Sequence, residues 1–207
     1  MNNSLWITKP SLLEEGINPH AQLPYGLTVE EIVSAVNYVY DFLYDLNMSL
    51  VQKYSARLED ILLGNSFAGM LSELIVRGIS ENSIHVVRNK KIGGHPDLLP
   101  RGKYPDDTIL KGEEGIEIKA SKQPSGWQGH NPERGWIMVF RYAVDTETEP
   151  PENRMPTRFV EILAAELEPE DWSFSGRKGN SRRTPTASIL KTGVEKLRNN
   201  VIYREPA

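Results

Sequence analysis

Apolar positions in the first third of this 207-residue chain recur at helical spacing. Ile32, Val36, Val39, Tyr40, Leu43 and Leu46 fall on one stripe of a 3.6-residue period, which predicts a helix running to about residue 50. The stretch T-V-E-E marks its start. Thr28 can cap the helix while the Glu31 side chain reaches back to it, a reciprocal capping box. A second helical stretch is expected over roughly 53–63, stopping at Gly64. Asn65 or Ser66 then stands as the cap of a third helix, FAGMLSELIVRGI, with Phe67, Met70, Leu71, Leu74 and Ile75 on one stripe and Glu73 off it. From Ile84 the pattern shifts to short β-rich runs, IHVV, PDLL, IEIKA, WIMVFRY and FVEILAAEL, separated by turn formers such as KIGGH and RGKYPDD. A last helix is expected from about Ala187 to Arg198, with Ile189, Leu190, Val194 and Leu197 on one side. Residues 1–27, with Pro10, Pro19 and Pro24, read as an irregular lead-in. Helices, then strands, then a helix predict an α+β or mixed α/β domain with an N-terminal helical segment.

Composition narrows this picture. Hydrophobic residues at 39% and charged residues at 25% are those of a globular chain and argue against wholesale disorder. No apolar run is long enough to cross a bilayer, and the first twenty residues lack the basic-then-apolar pattern of a signal peptide. The absence of cysteine excludes disulfides, thiolate zinc sites and cysteine nucleophiles, and is consistent with a reducing, cytoplasmic setting. The net charge of −4 conceals an uneven distribution. Acids dominate residues 1–75 and 143–175, whereas residues 176–207 hold eight bases against two acids. A polyanion could therefore bind along one surface, although a basic tail can equally be a solvated face.

The chemistry concentrates in GGHPDLL (93–99) and GIEIKAS (115–121). Side chains alternate across a strand, so Ile116 and Ile118 share one face while Glu117 and Lys119 share the other. If the two runs pair as neighbours, Asp97 approaches Glu117. Two carboxylates and a backbone carbonyl, that of Ile118, make an oxygen-rich site suited to a hard cation such as Mg²⁺. Lys119 would not ligate the metal but could position a water or stabilise charge on a phosphoryl oxygen. His95 reads as a turn residue near the metal, and four histidines without cysteine make no zinc pattern. No phosphate-cradling P-loop and no G-x-S-x-G elbow is present.

Pro96-Asp97 and Glu117-Ile118-Lys119 resemble the signature of the PD-(D/E)XK nuclease superfamily, over about residues 66–142. The resemblance implies a restriction-endonuclease-like core, a central mixed β-sheet flanked by helices, in which Asp97 and Glu117 bind Mg²⁺ and Lys119 assists the water that hydrolyses the phosphodiester. It also implies an acid on the preceding helix, for which Glu73 is the match; Arg77 is a ready i,i+4 partner for the same side chain. Pro105-Asp106-Asp107 is a rival Pro-Asp, less favoured than Asp97 because it lies among turn formers. The family's helix after the third strand is missing, since SKQPSGWQGHNPERG is rich in proline and glycine. Gln128, His130, Asn131 and Arg134 of that loop could reach base edges and phosphates, or the loop could be structural around a buried Trp127. Arg177, Lys178, Asn180, Arg182 and Arg183 of the basic end are further candidates for DNA contact. One nuclease domain is expected, with a helical part (1–64), a catalytic core (65–142) and a C-terminal part (143–207). The resulting expectation is a Mg²⁺-dependent endonuclease on double-stranded DNA, a type II restriction enzyme acting as a homodimer. The alternatives are a repair or junction-resolving nuclease with the same chemistry, and a non-catalytic nucleic-acid-binding module.

Overall fold

The computed structural model describes residues 7–129, 131–176 and 186–206. Among these the elements run α1 (Val29–Tyr54), α2 (Leu58–Ile61), α3 (Gly64–Asn82), β1 (Val86–Arg88), β2 (Leu98–Pro100), β3 (Ile116–Ser121), β4 (Gln128–Gly129), β5 (Gly135–Ala143), β6 (Arg158–Leu167), β7 (Trp172–Phe174), β8 (Ala187–Ile189), α4 (Lys191–Arg198) and β9 (Val201–Arg204). The class is mixed α+β, as the change of period at Ile84 predicts. No helix among the described residues is long and apolar enough to cross a membrane.

α1 starts as its sequence dictates. The Thr28 hydroxyl accepts the Glu31 N–H at 3.2 Å, and the Glu31 carboxylate accepts the Thr28 N–H at 2.9 Å. The stretch expected over 53–63 is different: α1 takes its first two residues and α2 is a single turn. Arg57 is the reason. Its buried guanidinium reaches the carbonyl oxygens of Met155 and Asp145, and its backbone N–H is accepted by Asp60, so the chain turns there instead of continuing as helix. α3 begins at Gly64 with Leu63 as its N-cap, and Asn65 accepts the N–H of Ser66 rather than capping the helix. α1 and α3 pack closely because Gly78 carries no side chain; a Cβ there would lie 2.9 Å from the Ala35 carbonyl oxygen.

Six strands form the main sheet in the order β1-β2-β3-β5-β6-β9, with β3 and β5 parallel and the other pairs antiparallel. One face carries α1 and α3 over a core that includes Ile116, Ile118, Met138 and Phe140. The other carries α4 over a smaller core of Ile137, Val139, Leu163, Leu167, Leu197 and Trp127. A three-stranded sheet, β4-β8-β7, joins that side. Its middle strand occupies 187–189, where the sequence pattern predicts helix. Ile189 donates its N–H to the Trp127 carbonyl at 2.9 Å, and β-pairing on both sides overrides the helical spacing of Ile189 and Leu190.

Two features set the frame of the site. Parallel β3 and β5 need a crossover, and residues 122–134 supply it, with no helix among those described, anchored by Trp127 in the smaller core. At the far edge, β9 is bound by the lead-in: Asn18 donates its N–H to Ile202, and Asn200 exchanges hydrogen bonds with the backbone of Gln22.

Candidate active site

The alternation in I-E-I-K fixes which way the polar pair faces. Ile116 and Ile118 are buried in the main core, while Glu117 and Lys119 stand on the opposite face in register with Ile137 and Val139. A slip of one residue would bury Glu117 and Lys119 and expose two isoleucines worth about 1.5–3 kcal/mol each, so the register is strongly held.

β2 meets β3 at Leu98 opposite Ile116, and beyond that point the strands part. The N–H groups that β3 then leaves unpaired are taken by side chains. Asp97 Oδ2 accepts the Ile118 N–H at 2.9 Å, and Ser72 Oγ of α3 accepts the Ala120 N–H at 3.1 Å. The N–H and C=O of a strand residue point to the same edge, so the Ile118 carbonyl opens on the side where Asp97 sits. Gly115 makes this approach feasible. Its φ is +150°, and a Cβ there would overlap both Pro96 and the Leu98 carbonyl oxygen. Buried Asn89 ties the segment from behind, with its backbone N–H on the Asp97 carbonyl at 2.8 Å and its amide on the Pro96 carbonyl at 3.0 Å.

Asp97 and Glu117 are near enough for the charge of one to act on the other. Burial, then the charge of Glu117, pushes Asp97 up to about 7, against the N–H of Ile118 and the charge of Lys119. For Glu117, burial alone would raise the pKa, but the hydrogen bond from His95 and the charge of Lys119 outweigh it and hold the group at about 2. Lys119 Nζ donates to Glu117 Oε1 at 2.6 Å, and His95 Nδ1 lies 2.9 Å from Oε2. The other His95 nitrogen, Nε2, lies 2.9 Å from Glu133 Oε1. A ring flanked by two carboxylates is best served as an imidazolium, and the Glu117 contact raises its pKa although burial opposes this. A cleft of about 50 Å³ opens beside Glu117, His95 and Glu133. At about 10–15 Å³ per water that space holds a few waters.

The structure thus brings together Asp97, Glu117, Lys119 and the Ile118 carbonyl. Glu73 is elsewhere: its exposed carboxylate pairs with Arg88 at 2.6 Å, not with Arg77, which pairs with Glu81. The reason is helical phase. Ser72, one residue earlier, faces β3, and the 100° step to Glu73 turns that side chain to the surface. Asp107 accepts the Gly102 N–H and faces Lys90, and Asp106 is exposed, so the rival Pro-Asp makes a separate turn. Arg134 is engaged by Glu166 and Glu168 at 3.0 and 3.3 Å, which leaves it poorly placed for phosphate. Gln128 is exposed on β4, and Asn131 lines the cleft. His130, Arg177, Lys178, Asn180, Arg182 and Arg183 lie outside the described residues.

Glu133 and Asn89 belong to the site's surroundings and escape the sequence reading. Glu133 is brought to His95 by the crossover, which no periodicity announces; only the parallel pairing of β3 with β5 reveals it. Among the described residues, no group of three or more His, Asp or Glu side chains is disposed to hold a metal ion. A site for a small dication here rests on two carboxylates and a carbonyl. The donors fit such an ion: all are hard oxygens, and a cation would relieve the repulsion that keeps a proton on Asp97. No protein-family model matches the chain, and no curated protein matches it.

Proposed function

We propose that the chain is a Mg²⁺-dependent endonuclease that hydrolyses phosphodiester bonds of double-stranded DNA. In this reading it acts as a cytoplasmic homodimer, like the type II restriction enzymes whose PD-(D/E)XK motif it resembles. The observation that carries the reading is the convergence of Asp97 and Glu117 at the unpaired edge of β3, with Lys119 on the same strand face as Glu117. Asp97, Glu117 and the Ile118 carbonyl would hold Mg²⁺, which supplies Lewis-acid polarisation of a phosphoryl oxygen and a more acidic water. Lys119 sits where its ammonium can stabilise the charge that grows as the water oxygen bonds to phosphorus and the ester P–O bond breaks. The attacking water loses a proton to solvent, and the leaving oxygen takes one up. With Glu117 Oε2 given to the cation, His95 would still be held through Nε2 by Glu133.

One observation favours a second reading. Glu117 is already matched by His95 and Lys119, and Asp97 retains a proton near neutral pH, so the cluster balances its charge without a metal. A non-catalytic nucleic-acid-binding module would have such a cluster. Incubation with unmethylated plasmid and phage DNA in Mg²⁺, with and without EDTA, separates the readings. Discrete EDTA-sensitive bands are expected. A smear selects a repair, junction-resolving or nonspecific nuclease, and intact DNA in Mg²⁺ sinks the catalytic reading.

A further inference from the structure

The face of the main sheet that carries Glu117 and Lys119 continues past the site as a polar row. Along β3, Ser121 follows Lys119 on the same face, and its register partner on β5 is Arg141. Arg141 pairs with Glu161 of β6 at 2.8 Å, and Arg204 of β9 grips the other oxygen of the same carboxylate at 2.8 Å. One buried carboxylate between two arginines leaves a positive charge uncancelled. Arg141 Nε is the only buried side-chain polar atom among the described residues without a hydrogen-bond partner. Arg204 is 55% exposed at its side chain.

Two more cations border the row. Lys122 is exposed directly after β3, and Arg198 reaches over from α4 to the Pro124 carbonyl at 3.0 Å. Neither has a carboxylate partner among the described residues. Lys119, Lys122, Arg141, Arg198 and Arg204 thus set five positive charges against Glu117 and Glu161, on a chain whose formal net charge is −4. The neighbouring Arg158–Glu205 pair adds none. Three interstrand spacings, about 14 Å, separate Ser121 from Arg204, and Lys119 lies two residues, about 7 Å, back along β3.

We propose that this row is the phosphate track of the duplex. The strand entering the Asp97–Glu117 site crosses β5, β6 and β9 on the Lys119 face, and Arg204 and Lys122 contact its phosphates. Arg141 fixes Arg204 through their shared hold on Glu161. The track rests on the nuclease reading but is read out by binding, independently of cleavage.

The test is fluorescence anisotropy of a labelled DNA duplex with the full chain, in Ca²⁺ in place of Mg²⁺, from about 50 to 200 mM salt, the range in which phosphate contacts show. Arg204→Gln leaves the Arg141–Glu161 pair in place. It is expected to flatten the slope of log K against log salt by about 0.9, and to weaken binding on the order of tenfold at 0.1 M. Lys122→Gln combined with Arg204→Gln should flatten it by about 1.8. Arg77→Gln, on the outer side of α3, should match wild type. Thermal melting of each variant confirms that the fold is kept. Wild-type binding with slopes unchanged in both Arg204→Gln and the double variant overturns the track and leaves the nuclease reading standing. A wild-type chain that binds no duplex removes both.

Discussion

Asp97 accepts the Ile118 N–H while its carboxyl is buried against Glu117, and these two demands pull its protonation in opposite directions. Burial and Glu117 win, with Asp97 raised to about 7. A carboxyl raised on folding contributes stability that is complete below its unfolded value near 4 and is lost as pH rises through about 7. His95, also raised, acts in the same sense above its unfolded value near 6.5. Glu117 is held at about 2, so its contribution is present above about pH 4.5 and is lost only in strong acid. The chain should therefore gain stability between pH 8 and pH 6. Asp97→Asn keeps an oxygen for the Ile118 N–H and removes the buried charge. At pH 8 it should be more stable than wild type by on the order of 1 kcal/mol or more, an advantage that shrinks by pH 5.5. Urea unfolding at the two pH values measures this, and an Asp97→Asn variant less stable than wild type at pH 8 would refute the assigned burden. A dication should raise the melting temperature more at pH 8 than at pH 6, and not at all in Asp97→Asn. Lys119→Ala addresses the chemistry separately. Cleavage should fall by about 100-fold or more with Ca²⁺-dependent duplex binding retained, as for loss of a positioned electrostatic group. Near-wild-type single-turnover rates would reduce Lys119 to a salt-bridge partner.

Among the elements, α3 anchors β3 through a hydroxyl rather than a carboxylate. Ser72→Ala leaves the Ala120 N–H without its acceptor and should destabilise the chain by about 1–3 kcal/mol. Glu73→Ala removes only an exposed ion pair with Arg88 and should cost at most about 1 kcal/mol, with cleavage unchanged. Chemical unfolding of the two variants, with a cleavage assay on Glu73→Ala, decides between these roles; an inactive, well-folded Glu73→Ala would return that acid to the site. This pair also shows what the sequence could convey. The apolar stripe of α3 was legible, as were the cap of α1 and the alternation that turns Glu117 and Lys119 together. Whether position 72 or 73 meets β3 depends on how the helix is rotated against the sheet, and α3 has a buried residue at nearly every turn on that side. β8 and β9 are short runs whose partners β4 and β6 lie far along the chain, so local spacing favours other readings. Glu133 reaches His95 only because the crossover returns to the sheet beside β3.

At the scale of the molecule, mixed α+β architecture follows from one change of period near Ile84. The proposed duplex cleavage would require two centres, one for each strand, which two-fold symmetry would supply. Light scattering should therefore give twice the 23.4 kDa chain mass at micromolar concentration, and specific activity should fall on dilution below the dimer dissociation constant. A chain of single mass with full, dilution-independent double-strand cleavage would contradict the homodimer.

The hydrogen bonds that hold residues 18–22 against 199–202 have a consequence for synthesis. On a ribosome adding roughly 5–20 residues per second, the lead-in emerges some 10–40 s before the strand that receives it. Ile17 lacks Tyr203 as its bridge partner throughout, and once β6 has emerged its edge stays open for about 2–7 s until β9 follows. Nascent chains halted before residue 200 should be cut by protease within the lead-in, and chains released after residue 206 should resist.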